Sequence, residues 1–147
     1  MLERALTVAL TLTSLAAAAQ AAGDPQRGAA IVAGRSAGLC GLCHAVPGVP
    51  ATQVGNLGPD LAGLGMRLNA ADQRQRLLAP ERSNPETVMP AYGRSEGLVQ
   101  VSSARQGQPL LDEQQIEDVL AYLGTLQFSW TGDQGFSHSE TRPFTVT

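Results

Sequence analysis

Two thiols and an imidazole sit side by side in this chain. The stretch Cys40-Gly41-Leu42-Cys43-His44 holds both cysteines of the sequence, and its C-x-x-C-H spacing is that of covalent c-type haem attachment. Each thiol adds across one vinyl group of a porphyrin, and the two-residue gap lets one segment reach both vinyls. His44 then falls beneath the iron and offers it a nitrogen. Other chemistries use such residues too. A redox-active Cys40–Cys43 disulfide calls for a βαβ setting, which the pattern lacks. A zinc site needs four ligands, and the other histidine, His138, stands alone in a polar tail. The expectation is one covalently attached haem c, with Cys40 and Cys43 as the thioethers and His44 as the proximal ligand.

The second axial position draws on a short list, because the chain has no Lys. Met66, Met89 and His138 are the soft or imidazole side chains that remain beyond the N-terminal segment. Met89 sits in NPETVMPAY, a loop fenced by Pro85 and Pro90, where a thioether faces the iron from a rigid backbone. Met66 lies in an apolar helical stretch and reads as packing, since an unbranched Met fills gaps well. His138 would require the tail to fold back. Met89 is the expected ligand, with Met66, His138 and an open position as the alternatives. A Met ligand stabilises ferrous iron and raises the potential, which suits electron transfer. A filled sixth position argues against oxygen activation.

These residues must be positioned by helices. Asp24-Pro25 predicts a helix start, a capping carboxylate followed by the residue whose missing N–H is harmless at the first helical position. Ala29 to Ala33 continue it as far as Gly34. Residues 45–59 carry Pro47, Pro50, Pro59 and several glycines and read as loop. Leu61, Leu64 and Leu68 recur at helical spacing, predicting a short helical turn. Asn69 caps a better segment, NAADQRQRLLAP, which Pro80 closes. The clearest helix is the last. Asp112 with Gln115 forms a capping box, and Ile116, Val119, Leu120, Leu123 and Leu126 make one apolar face. Nothing alternates at period two long enough to make a sheet, so the predicted class is all-α. Arg94 and Glu96 read as a solvated loop pair with no role in the chemistry.

Composition sharpens this picture. The chain has 147 residues, a formal charge of −3 and no basic stripe, so nucleic-acid binding is excluded as a reading. Two cysteines are too few for a disulfide scaffold, and 43% apolar content argues against a disordered chain. Aromatic residues make up only 4% of it. Phe128, Trp130, Phe136 and Phe144 all follow the last predicted helix, leaving Tyr92 and Tyr122 for the domain itself. A helical domain with two rings fills its core poorly, and a porphyrin supplies the missing flat apolar group.

Met1 to Ala22 combine an early Arg, an apolar run from Ala5 to Ala19 and small residues around the Ala19-Gln20-Ala21 stretch. This is the pattern of a secretory signal peptide cleaved near Ala21 or Ala22. Thr7, Thr11, Thr13 and Ser14 interrupt the run, which makes it weak for a spanning helix of ~20 residues. The expected organisation is a signal peptide over 1–22, one domain over 23–126 and an extension over 127–147. The mature chain is expected in the periplasm without a membrane span.

The segments GDPQRG, CGLCH, NLGPDLAGLG, VMPAY and IEDVLAYLGTL follow the order of a class I cytochrome c, which they resemble over most of residues 23–126. The resemblance implies a helical fold wrapped around one haem, with the terminal helices crossing where Gly28 meets Tyr122. It also implies that the Pro59 carbonyl accepts a hydrogen bond from the His44 imidazole, orienting the ring and raising its basicity. A generic member passes quickly from its Met loop to the final helix, whereas Tyr92 to Leu111 intervene here. The run NPETVMPAYGRSEGLVQV with GQPLLDEQQIEDVLAYLGTL resembles the SoxX family, monohaem subunits of the SoxAX complex of bacterial thiosulfate oxidation.

That resemblance implies a share in an enzyme, an L-cysteine S-thiosulfotransferase. A SoxA-like haem subunit would join thiosulfate oxidatively to a cysteine of a SoxYZ-like carrier, releasing two electrons. This chain would accept them singly and pass them to a small soluble cytochrome. With both thiols committed to haem, it has none left to accept sulfur. The rival reading is a free-standing periplasmic electron carrier, for which residues 92–111 are a variable loop.

Overall fold

The computed structural model describes residues 22–99 and 101–127. The expected signal peptide up to Ala21, His138 and the aromatic tail from Phe128 onward lie outside them. Four α-helices follow in chain order, α1 (Pro25–Ala33), α2 (Leu64–Arg67), α3 (Ala70–Leu78) and α4 (Glu113–Thr125). No strand occurs among the described residues, in keeping with the all-α reading.

Local chemistry explains where three of them start. Asp24 Oδ1 accepts from the amides of Gln26 at 2.8 Å and Arg27 at 3.2 Å, with Pro25 at the first helical position. Asn69 Oδ1 accepts from Asp72 N–H at 2.9 Å and opens α3. At α4 the box is reciprocal. Gln115 N–H donates to Asp112 Oδ1 at 2.8 Å, and Asp112 N–H donates to Gln115 Oε1 at 3.0 Å. Helix α3 stops before Pro80, as the steric conflict between a proline and a helical preceding residue requires.

Helices α1 and α4 cross in direct backbone contact. A Cβ on Gly28 would lie 2.0 Å from the Asp118 carbonyl oxygen and 2.8 Å from Tyr122 Cβ, so only glycine fits there. The crossing is locked by Asp118, which is 2% exposed. Its carboxylate accepts from Asp24 N–H at 2.8 Å, from Arg27 Nε at 2.7 Å and Nη2 at 2.8 Å, and from Gln114 Nε2 at 3.0 Å. A buried carboxylate is tolerable only with such a full set of donors. Around this crossing Val32, Leu77, Tyr92, Leu111, Ile116, Val119 and Leu123 form the core.

The segment after the Met loop is an excursion closed at its base. Tyr92 N–H donates to the Leu77 carbonyl at 2.8 Å, and Leu111 N–H donates to the Tyr92 carbonyl at 3.0 Å. Two local expectations need correction. Arg94 pairs with Glu81 at the start of the turn after α3, not with Glu96. Met66, expected to pack, is 64% exposed. Its neighbours take the inward positions of α2, with Leu64 against the core and Gly65 N–H bonded to the Leu126 carbonyl at 2.9 Å. The next residue along the helix is turned away by the 3.6-residue period.

Candidate functional site

The pentapeptide at residues 40–44 forms a single 3-10 turn over Cys40–Leu42. Leu39, just before it, takes a left-handed conformation with φ 55°, which is uncommon for a residue with a side chain and turns the chain sharply into Cys40. Within the turn, Cys43 N–H and His44 N–H both donate to the Cys40 carbonyl, at 3.1 and 2.9 Å. The two thiols are free and half-buried. Burial, the largest influence, pushes the Cys40 thiol above its ordinary value.

A second segment is laid along this turn by backbone hydrogen bonds. Gly55 N–H donates to the Gly41 carbonyl at 2.8 Å, Gly58 N–H to the Cys43 carbonyl at 2.7 Å and Leu61 N–H to the Ala45 carbonyl at 3.0 Å. The register of these bonds sets Pro59 opposite His44. The His44 Nδ1 atom lies 2.6 Å from the Pro59 carbonyl oxygen. A carbonyl can only accept, so Nδ1 carries the proton and Nε2 is left as the lone-pair nitrogen. The ring rests on bare backbone. A Cβ on Gly58 would stand 2.4 Å from Cε1, 2.6 Å from Nδ1 and 2.8 Å from Nε2 of the imidazole. Arg67 braces the same segment from outside, donating to the carbonyls of Asp60 at 2.7 Å and of Ala62.

The Met loop is held by short local bonds. Glu86 N–H donates to Asn84 Oδ1 at 3.1 Å, Thr87 N–H to the Asn84 carbonyl at 3.1 Å and Met89 N–H to Thr87 Oγ1 at 3.2 Å. Val88 is 76% exposed while Met89 packs against the core cluster. Cys40, Val54 and Leu64 border the same cluster. The structure thus brings one half-buried thiol and one thioether to a common apolar region, with Pro59 fixing the imidazole next to the second thiol.

This donor set fits a covalent haem. Two unpaired thiols in C-x-x-C spacing serve attachment, and an imidazole whose tautomer leaves Nε2 for iron serves ligation, with Gly58 letting the backbone lie against that ring. The family model for cytochrome c matches residues 25–127. The chain belongs to the cytochrome c family. Membership implies a covalently bound haem c, and Cys40 and Cys43 are the cysteines of this cytochrome that can carry it.

Among solved structures, the cytochrome is similar to a chain of the crystal structure of SoxXA from P. pantotrophus. The two are 32% identical with a TM-score of 0.66, covering 74% of this chain and 85% of that one. With the family match, this similarity makes it a SoxX-type cytochrome. No curated protein matches it. Among the described residues no helix is long and apolar enough to cross a membrane.

Three features of the site escape a reading of motifs. Gly58 is part of the expected Gly-Pro turn, yet its contact with the imidazole face follows from the register of backbone bonds that no local pattern shows. Asp118 looks like one more polar residue on an amphipathic helix. Tyr92 reads as a loop aromatic, but its hydroxyl lies 4.0 Å from Cys40 Sγ.

Proposed function

We propose that this cytochrome is the monohaem, electron-accepting subunit of a SoxAX-type L-cysteine S-thiosulfotransferase. The observation that carries the reading is its similarity to a SoxXA chain over 85% of that chain's length at 32% identity. A covalent haem bound at Cys40 and Cys43 supplies one-electron carriage. His44 would offer its Nε2 nitrogen to the iron, and Pro59 holds that ring by accepting a hydrogen bond from Nδ1–H. Met89 would offer its thioether sulfur to the iron, a ligand type that stabilises the ferrous state and raises the potential.

The sulfur chemistry belongs to a SoxA-like partner. Joining thiosulfate to a carrier cysteine makes one sulfur–sulfur bond, releases the thiol proton and leaves two electrons to be removed. This chain has two cysteines, both committed to thioethers, so it removes electrons and accepts no sulfur. The electrons go on singly to a small soluble cytochrome, and the carrier is SoxYZ-like. The chain is exported to the periplasm by residues 1–22, works through the domain over 23–126 and carries an extension over 127–147.

Co-expression with a SoxA-type haem protein tests the assembly. The expected result is a stable heterodimer that survives size-exclusion chromatography in 150 mM salt, a concentration of about one physiological ionic strength. A haem-loaded monomer that ignores that partner would support the free-standing carrier instead.

A further inference from the structure

Tyr92 is buried, at 6% exposure, and its hydroxyl is used neither by a helix end nor by the ligand set. Its backbone is fixed on both sides, by the N–H bond to the Leu77 carbonyl at 2.8 Å and by the Leu111 N–H bond to its own carbonyl at 3.0 Å. These bonds fix the backbone from which the ring projects, and its packing in the core cluster holds the ring inside. What the hydroxyl meets inside is Cys40 Sγ, at 4.0 Å. That is a weak hydrogen bond to a large sulfur atom. Before attachment either group can be the donor. Addition of the thiol across a vinyl group forms one S–C bond, consumes the vinyl π bond and moves the thiol hydrogen to the other vinyl carbon, with no net oxidation. The sulfur then has lone pairs and no proton, so the hydroxyl must be the donor.

We propose that the Tyr92 hydroxyl donates a hydrogen bond to the Cys40 thioether sulfur, making Tyr92 a positioning residue that couples the Met89 loop to the haem-bearing turn. The inference rests on the reading that Cys40 carries haem. Two consequences follow from the chemistry. The residue ties the segment that bears Met89, three positions upstream, to the segment that bears His44, so that one brace spans both ligand-bearing stretches. The positive end of the O–H dipole faces a sulfur bonded to the macrocycle, which disfavours the more positive ferric state and raises the potential.

The test compares haem-loaded wild-type protein with Tyr92→Phe, which removes one oxygen and keeps the ring. A pyridine haemochrome spectrum first reports covalent attachment, and its failure in the wild type would overturn the haem reading and the inference together. Resonance Raman spectra in H2O and D2O then report the thioethers. A C–S stretching band of the wild type is expected to shift on deuteration, and that shift is lost in Tyr92→Phe. The ferrous–ferric equilibrium of the variant is expected to move toward ferric by about twofold, the scale of one weak hydrogen bond felt unequally by the two states. Deuterium-insensitive C–S bands in the wild type would overturn the inference without any variant. So would a variant that keeps both the isotope shift and the wild-type equilibrium.

Discussion

Nδ1 of His44 lies 2.6 Å from the carbonyl oxygen of Pro59, and the flat of the same ring rests on Gly58. The first contact sets the tautomer and the second sets how closely the segments approach. A methyl group at position 58 would overlap three imidazole atoms, all within 2.8 Å. Gly58→Ala is therefore expected to displace the ring, break the bond to Pro59 and cost about 1–3 kcal/mol of stability. The ferric visible spectrum checks it, with a new high-spin fraction as the expected outcome and an unchanged low-spin spectrum as the contrary one.

Met89→Ala removes the expected distal sulfur. The weak near-infrared band of a Met-to-ferric-iron bond is expected to vanish, with a lower potential because the ferrous state loses its thioether. Met66→Ala, on the exposed face of α2, is expected to leave the band in place. Persistence of the band in Met89→Ala would make the ligand assignment wrong.

Burial of Asp118 among Arg27, Gln114 and the Asp24 amide has a pH signature. Hydrogen bonding to Arg27, the largest influence, holds its carboxyl well below the ordinary carboxylate range. A group whose folded value is depressed contributes stability above its unfolded value, about 3.9, and loses that contribution as pH falls toward the folded value. Asp118→Asn is expected to cost about 1–3 kcal/mol near neutrality, measured as a lower urea midpoint. The gap between wild type and variant should be constant above about pH 5 and narrow below about pH 4. A gap independent of pH down to acid unfolding would contradict the charged clamp.

Much of the scaffold is legible in the sequence because helix ends are set by local chemistry. Asp24, Asn69 and the pair Asp112 and Gln115 each satisfy backbone donors within three residues, so the caps of α1, α3 and α4 can be read without tertiary information. The C-x-x-C-H pentapeptide is legible for the same reason. What cannot be read depends on partners distant along the chain. Asp118 meets Arg27 across a separation of 91 residues, and Tyr92 meets Cys40 across 52. Met66 is misjudged as core because apolar character alone does not say which side of a one-turn helix faces inward.

The closure of Tyr92 on Leu111 predicts that the intervening loop is dispensable for the haem site. Replacing residues 95–108 by a short Gly-Ser linker keeps Tyr92, Leu111 and the Arg94–Glu81 pair, and loop-closure entropy changes slowly with length. The expected outcome is full covalent haem loading and an intact near-infrared band. Loss of either would mean that the loop supports the ligands directly.

In the proposed function, this cytochrome takes electrons from thiosulfate coupling on a partner. Stopped-flow absorbance of the haem α-band, with the purified chain assembled with a SoxA-type partner and a SoxYZ-type carrier, tests it most directly. Reduction is expected on adding thiosulfate only when both partners are present, with two haem equivalents reduced for each sulfur–sulfur bond formed. No thiosulfate-dependent reduction by the complete assembly would overturn the proposed function and leave an electron carrier of the cytochrome c family.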